Sequence, residues 1–147
     1  MGSLQHAVVT AAILLTGSPK ARCVFFKISG DVMKPVSFNS QEGRAEPSDT
    51  VFKNESSDIA GEAMFRLVRS GKFAQYDDIL EKAPEGMQTG RSYRTFIAVS
   101  VTAGDEQYGA LSIDSPAPNS FGERDVQIMR MLANLLGSGL ALMPEGA

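Results

Sequence analysis

Tyr93-Arg94-Thr95-Phe96-Ile97-Ala98-Val99-Ser100-Val101-Thr102, then Gly104-Asp105-Glu106, then Tyr108-Gly109-Ala110-Leu111-Ser112-Ile113-Asp114-Ser115: these residues decide the fold. The first run is rich in β-branched residues and alternates in size, as a strand with two unlike faces does. Ile97, Val99 and Val101 are large and apolar, whereas Ala98, Ser100 and Thr102 are small. The second run repeats the pattern, with Gly109, Leu111 and Ile113 on one face and Ala110 and Ser112 on the other. The Gly-bearing turn between them predicts a hairpin. One face packs densely, and the other carries short side chains that leave room against the sheet. Such a face suits the floor of a small-molecule site, and it equally suits a helix packed close. A slip of one residue would exchange the two sets, so every face assignment rests on this register.

Beyond the hairpin, Ser120-Phe121-Gly122-Glu123 reads as a capping box that opens a long helix over Ser120–Leu142. Val126, Met129, Ala133, Leu136 and Leu140 form one apolar row, and Ile128, Leu132, Leu135 and Leu142 another. At about 100° per residue the apolar arc spans roughly 220°, more than one sheet needs. A helix of this kind requires two partners: its own sheet, and another helix from this chain or a second copy.

The chain has 147 residues, one domain's worth, and enough to bury a sizeable core. Its apolar content of 43% and charged content of 21% are those of an ordinary soluble globular protein. A net charge of −3, with no basic cluster, speaks against nucleic acid as a partner. The single cysteine, Cys23, rules out an internal disulfide and a cysteine-based zinc site, and its apolar surroundings read as a buried strand position. Ala7–Leu15 is too short to span a membrane and lacks the marks of a signal peptide, so a cytoplasmic location and no membrane contact are expected. Met1-Gly2-Ser3 reads as a cloning remnant, which would make the chain a fragment of a longer one carrying an output domain.

Upstream of the hairpin, Leu4–Thr16 is apolar almost all round and is stopped by Gly17 and Pro19, a partner for the C-terminal helix. Arg22–Ser29 and Lys34–Asn39 read as strands about a Gly30-Asp31 turn. Ser40–Ser57 is a long polar loop, a candidate lid, and Ser57–Ser70 a helix that ends at Gly71. Phe73–Ile79 is a short strand, and Glu81–Ser92 a second loop with Pro84, Gly86 and Gly90. With sequential strands pairing by preference, this order gives an α+β domain: a central antiparallel sheet with helices on both faces.

Read in order, Gly61-x-Ala63, Gly71, Asp78, Arg94-Thr95-Phe96-Ile97-Ala98-Val99, Tyr108-Gly109-Ala110-Leu111-Ser112-Ile113-Asp114, Phe121-x-x-x-Asp125 and Leu132-Ala133-x-x-Leu136 resemble the running pattern of GAF domains. The resemblance covers nearly the whole chain and is strongest from Arg94 onward. It implies a GAF/PAS-like single domain over residues 1–147, with a five- or six-stranded antiparallel sheet and middle helix in 22–115. The terminal helices, 4–16 and 120–142, would lie on one face. A small-molecule pocket would lie on the other, under the middle helix and the loops. It further implies a regulatory sensor that signals through a homodimer of terminal helices, with Val8, Leu15, Met129, Leu132, Leu136 and Leu140 as the expected seam.

The departures narrow the ligand. Cyclic-nucleotide-binding members carry N-K…F-x-x-x-D-E; here Phe121 and Asp125 fit, Val126 replaces the last acid, and Ser115-Pro116 stands where Asn-Lys is sought. Bilin-binding members need a suitably placed cysteine, haem-binding members a histidine near the pocket, and methionine-sulfoxide-reducing members several cysteines. Cys23 in the first strand and His6 near the chain's start do not meet these needs. No cofactor and no metal are therefore expected.

For catalysis the chain offers no nucleophile with a base. Asp77 and Asp78 are adjacent and point to opposite faces of an extended chain, so they do not share a proton, and Asp78 is expected to fix a loop. Ser57 and Ser92 have no histidine to activate them. Arg91 and Arg94 flank the opening strand; each is either a solvated surface residue or a fork for a carboxylate or phosphate at the pocket mouth. The expected ligand contacts are Phe38, Met64, Tyr76, Arg94, Phe96, Ala98, Ser100, Ala110 and Ser112. The alternative is a ligand-free dimerisation module with a collapsed pocket.

Overall fold

The computed structural model describes residues 2–40, 51–87 and 91–143. Helix α1 (Gly2–Thr16) leads into strands β1 (Arg22–Ser29) and β2 (Val32–Ser40), a short β3 (Phe52–Lys53) and helix α2 (Ile59–Ser70). Strand β4 (Phe73–Tyr76), the hairpin β5 (Thr95–Ala103) and β6 (Glu106–Ser115), and helix α3 (Glu123–Ala141) complete it. The six described strands form one sheet in the order β3-β2-β1-β6-β5-β4, every neighbouring pair antiparallel. The α+β architecture expected from the pattern is the one observed. Strand β3 lies within the segment read as a loop; a two-residue strand is too short to show alternation. Residues 41–50 of that candidate lid lie outside the described residues, as do 88–90 of the second loop.

The hairpin register sets like against like. Ile97 stands opposite Ile113 and Val99 opposite Leu111, while Ala98 stands opposite Ser112 and Ser100 opposite Ala110. The large set is buried beneath α1 and α3, in one core with Val9, Cys23, Phe25, Met129 and Leu136. Each fully buried side chain of that size contributes about 1.5–3 kcal/mol. On the opposite face, under α2, a smaller core gathers Val24, Phe26, Met33, Phe65, Val68 and Ala110. A bulge at Tyr108 shifts the pairing between Val101 and Thr102, and Gly109 beside it has φ +153°. A Cβ at Gly109 would run into the carbonyl of Phe26 on β1, so the two strands pair there only around glycine.

The cap of α3 differs from the expected box. The N-cap is Gly122, whose N–H donates to the Asp125 carboxylate at 2.8 Å. Glycine has no side chain to complete the reciprocal half, and the Ser120 hydroxyl instead hydrogen-bonds that of Ser18 at 2.8 Å. Ser120 thus ties the linker after α1 to the start of α3.

The expected dimer seam requires correction. Val8, Met129, Leu132 and Leu136 are buried within the protomer's own core, and Leu140 packs against it. The physical reason is that α1 lies beside α3 on the same sheet face, so the helix finds its second partner in its own chain. Of the six seam residues only Leu15 is exposed. Solvent instead meets Leu14, Met131, Leu135 and Leu142, the last three on one stripe of α3 by helical spacing.

Candidate ligand-binding site

The registers of five strands lay out the floor of a site on the α2 face. Opposed residues form one row of Tyr76, Phe96, Asp114, Arg22 and Ser40, and the next of Ala74, Ala98, Ser112, Val24 and Phe38. The middle of this grid is low because Ala74, Ala98 and Ser112 are short. Aromatic side chains rise around it: Tyr76 stacks on Phe96 with ring centroids 5.3 Å apart, and Tyr93 meets the Phe96 ring edge-on at 5.9 Å. Phe26 and Phe52 form a second edge-on pair at 5.2 Å.

Helix α2 makes the roof. Its N-cap Asp58 accepts from the Gly61 N–H at 2.8 Å through one carboxylate oxygen and from the Lys53 N–H at 2.9 Å through the other. One side chain therefore starts the helix and fastens it to β3. Gly61 lies so close to the Lys53 backbone that a Cβ there would collide with it, which explains the glycine in the Gly61-x-Ala63 pattern. At the other end Gly71 adopts φ +67°, the left-handed cap that releases the chain into β4. Phe65 and Val68 anchor the helix to the sheet, while Ala63, Met64 and Leu67 face a cavity of about 440 Å3. That volume falls in the range of small-molecule sites, about 300–1,000 Å3.

Of the expected contacts, Met64, Tyr76, Phe96, Ala98 and Ser112 line this cavity. Phe38 and Ala110 pack in the core beneath α2 rather than on the cavity wall, and Ser100 lies beyond it, its N–H donating to the Lys72 carbonyl. Arg94 is turned to an internal task. Its Nε and one Nη donate to the two oxygens of Asp78 at 2.8 and 2.6 Å. Asp78 also accepts from the Leu80 N–H at 3.1 Å, so it does fix the loop after β4. The hydrogen-bonded Arg94 guanidinium holds the Asp78 carboxyl below its usual range, with the Leu80 N–H adding to the effect.

Of the two arginines expected at the pocket mouth, Arg91 is the one that lines the cavity, and its Nε is buried with no hydrogen-bond partner among the described residues. Arg22 also lines the cavity, paired with Asp114 at 2.9 Å and 5.9 Å from the Tyr93 ring centroid. Arg22, Val24, Phe26 and Met87 were not among the expected contacts. Strand β1 is buried on both faces, so its hydrophobicity does not alternate, and the size alternation that marks β5 is missing from Cys23–Phe26. Only its register against β6 reveals which residues face α2.

Cys23 points to the opposite core, and burial, with the nearby charge of Asp114 adding, pushes its thiol pKa far up. His6 is exposed on α1. Among the described residues no three His, Cys, Asp or Glu side chains gather as a metal site requires. None of the described helices is long and apolar enough to cross a membrane.

These features agree with comparisons to known proteins. The family model described as GAF domain matches residues 4–141, and the chain belongs to the GAF domain family. Its fold is similar to that of the cyanobacteriochrome receptor PixJ, at 16% identity and a TM-score of 0.77 over 96% of this chain and 95% of that one. The blue-light-absorbing form of the Thermosynechococcus elongatus PixJ GAF domain gives 16% identity and a TM-score of 0.76, over 95% and 83% of the two chains. A far-red-absorbing dark-state protein with biliverdin IXα bound gives 16% and 0.74, over 94% and 88%. No curated protein matches the chain in sequence.

Proposed function

We propose that this GAF domain is a non-enzymatic regulatory module that binds a small organic molecule between α2 and the sheet. The observation that carries this reading is the cavity of about 440 Å3 over a floor of Ala74, Ala98 and Ser112. Strands β5 and β6 bear Ala98 and Ser112 on one face and the packing of α1 and α3 on the other. A ligand that settles on the floor more tightly in one strand arrangement than another biases the terminal helices by that difference in affinity. We place the output in a larger natural chain and the module in the cytoplasm, where a single buried thiol is at home.

The ligand is not a bilin attached through cysteine, although one similar structure holds biliverdin. The chain's one cysteine, Cys23, belongs to the core on the far side of the sheet. For the homodimer, the exposed stripe Met131, Leu135 and Leu142 replaces the buried seam as the pairing surface. That stripe also supports the second reading, a ligand-free pairing module.

Thermal-shift screening against cyclic nucleotides, amino acids and organic acids separates the two. A ligand at a hundredfold its Kd stabilises by about 2.7 kcal/mol. Ala98→Leu, which fills the floor, is expected to abolish the response. A flat response across the screen, unchanged by Ala98→Leu, favours the pairing module.

A further inference from the structure

Resting on the reading of this cavity as a ligand site, we infer that its ligand is a small aromatic carboxylate whose acid group is held by Arg91. Four basic side chains line the cavity, Arg22, Arg66, Lys72 and Arg91, against one acid, Asp114, and that acid is bonded to Arg22. The chain as a whole carries a net charge of −3, so the excess of positive charge here is local. Arg66 and Lys72 are exposed and set the potential of the approach. Arg91 differs from them. Its Nε lies out of reach of solvent without an acceptor among the described residues. The Nε edge is thus closed to an incoming group, and a carboxylate in the cavity instead meets the outer edge of the guanidinium, where the two Nη groups offer parallel donors to its two oxygens.

The remainder of the wall selects what the carboxylate is attached to. The stacked pair Tyr76–Phe96, with Tyr93 edge-on, presents ring faces and edges at aromatic contact distances. A flat ring slides between such a wall and the low floor at Ala98 and Ser112, where a branched aliphatic group would meet the aromatic rim. Met64 on α2 supplies a polarizable contact from above.

The probes are benzoate and indole-3-acetate, with benzamide as the neutral counterpart, benzylamine as the cation and phenyl phosphate as the alternative anion. Calorimetric titration of the full chain is expected to show the aromatic acids binding, with benzamide about 10- to 100-fold weaker. Arg91→Gln should weaken the acids by a similar factor while leaving benzamide unaffected, and Arg91→Lys should recover part of the loss. Arg69→Gln, on α2 but outside the cavity wall, serves as the control with unchanged binding. Circular dichroism confirms that each variant is folded; should Arg91→Gln fail to fold, the comparison of benzoate with benzamide on the unaltered chain decides alone. Equal binding of benzoate and benzamide overturns the anion assignment and leaves the cavity reading intact. Tighter binding of phenyl phosphate than of benzoate overturns the carboxylate in favour of a phosphoryl group. No binding by any probe of any charge, together with a higher melting temperature for Ala98→Leu, overturns the cavity reading itself.

Discussion

Arg94 and Asp78 form a two-pronged ion pair, Nε and one Nη of the guanidinium meeting the two carboxylate oxygens at 2.8 and 2.6 Å. Arg94 precedes β5 and Asp78 follows β4, so the pair closes the end of the sheet at which both strands terminate. The Arg94 carbonyl reinforces this by accepting from the Ile79 N–H at 2.7 Å. The pair keeps Arg94 off the cavity wall and leaves that role to Arg91.

The Asp78 carboxyl titrates below its ordinary value of 3.8 in the folded chain, because its charged form is hydrogen-bonded to Arg94. A depressed folded-state pKa contributes stability that is fully present above the unfolded value and is lost as pH falls through the folded one. Asp78→Asn is therefore expected to lower the melting temperature at neutral pH, and the gap from the unaltered chain should close on acidification below 3.8. A gap that stays constant through acid titration would show that the pair's charge is not what stabilises this corner.

Two glycines of α3 make a contrasting pair. A Cβ at Gly137 would press into the backbone carbonyl of Thr102, whereas one at Gly139 would meet only the far end of the Leu4 side chain, which can rotate away. Gly137→Ala should cost about 1–3 kcal/mol through overpacking, despite alanine's better helix propensity. Gly139→Ala should be near neutral, since about 1 kcal/mol of propensity offsets the repacking. Urea denaturation of both variants checks the order, and equal losses would contradict the close approach of α3 to β5.

Leu136 and Leu135 are neighbours with opposite duties. Leu136 is fully buried and Leu135 is 57% exposed. Leu136→Ala should lose about 2–5 kcal/mol, and Leu136→Glu should not fold. Leu135→Glu should stay folded and, on the proposed pairing surface, shift sedimentation from dimer to monomer. A folded Leu135→Glu of unchanged mass would remove α3's outer stripe from any dimer.

Cys23 lies in the terminal-helix core with its thiol pKa raised by burial. Since the thiolate is the reactive form, iodoacetamide should leave the native protein unmodified and label it stoichiometrically in denaturant. Rapid labelling of the native chain at neutral pH would mean that β1 opens far more readily than this packing allows.

Much of the architecture is legible in β5 and α3. The size alternation in Thr95–Thr102 assigns its faces without a partner in view, and the stripe from Val126 to Leu136 assigns the buried side of α3. The cavity is only half legible. Met64, Tyr76, Phe96, Ala98 and Ser112 could be named because they lie on elements with a clear period. Arg22 and Phe26 could not, since a strand covered on both faces carries no alternation, and Met87 could not, since a loop carries no period at all.

By itself the order of residues determined which segments are strands and helices, and which side of the hairpin is crowded. Those are properties of neighbours along the chain, where sterics and periodicity act within a few residues. Only the tertiary structure decided that Arg94 is bound to Asp78 while Arg91 lines the cavity, and which apolar residues of α3 are covered within the protomer, Leu132 and Leu136, and which meet solvent, Leu135. Both outcomes depend on residues distant in sequence meeting in space, and two arginines three positions apart, or two apolar rows on one helix, look alike until their partners arrive.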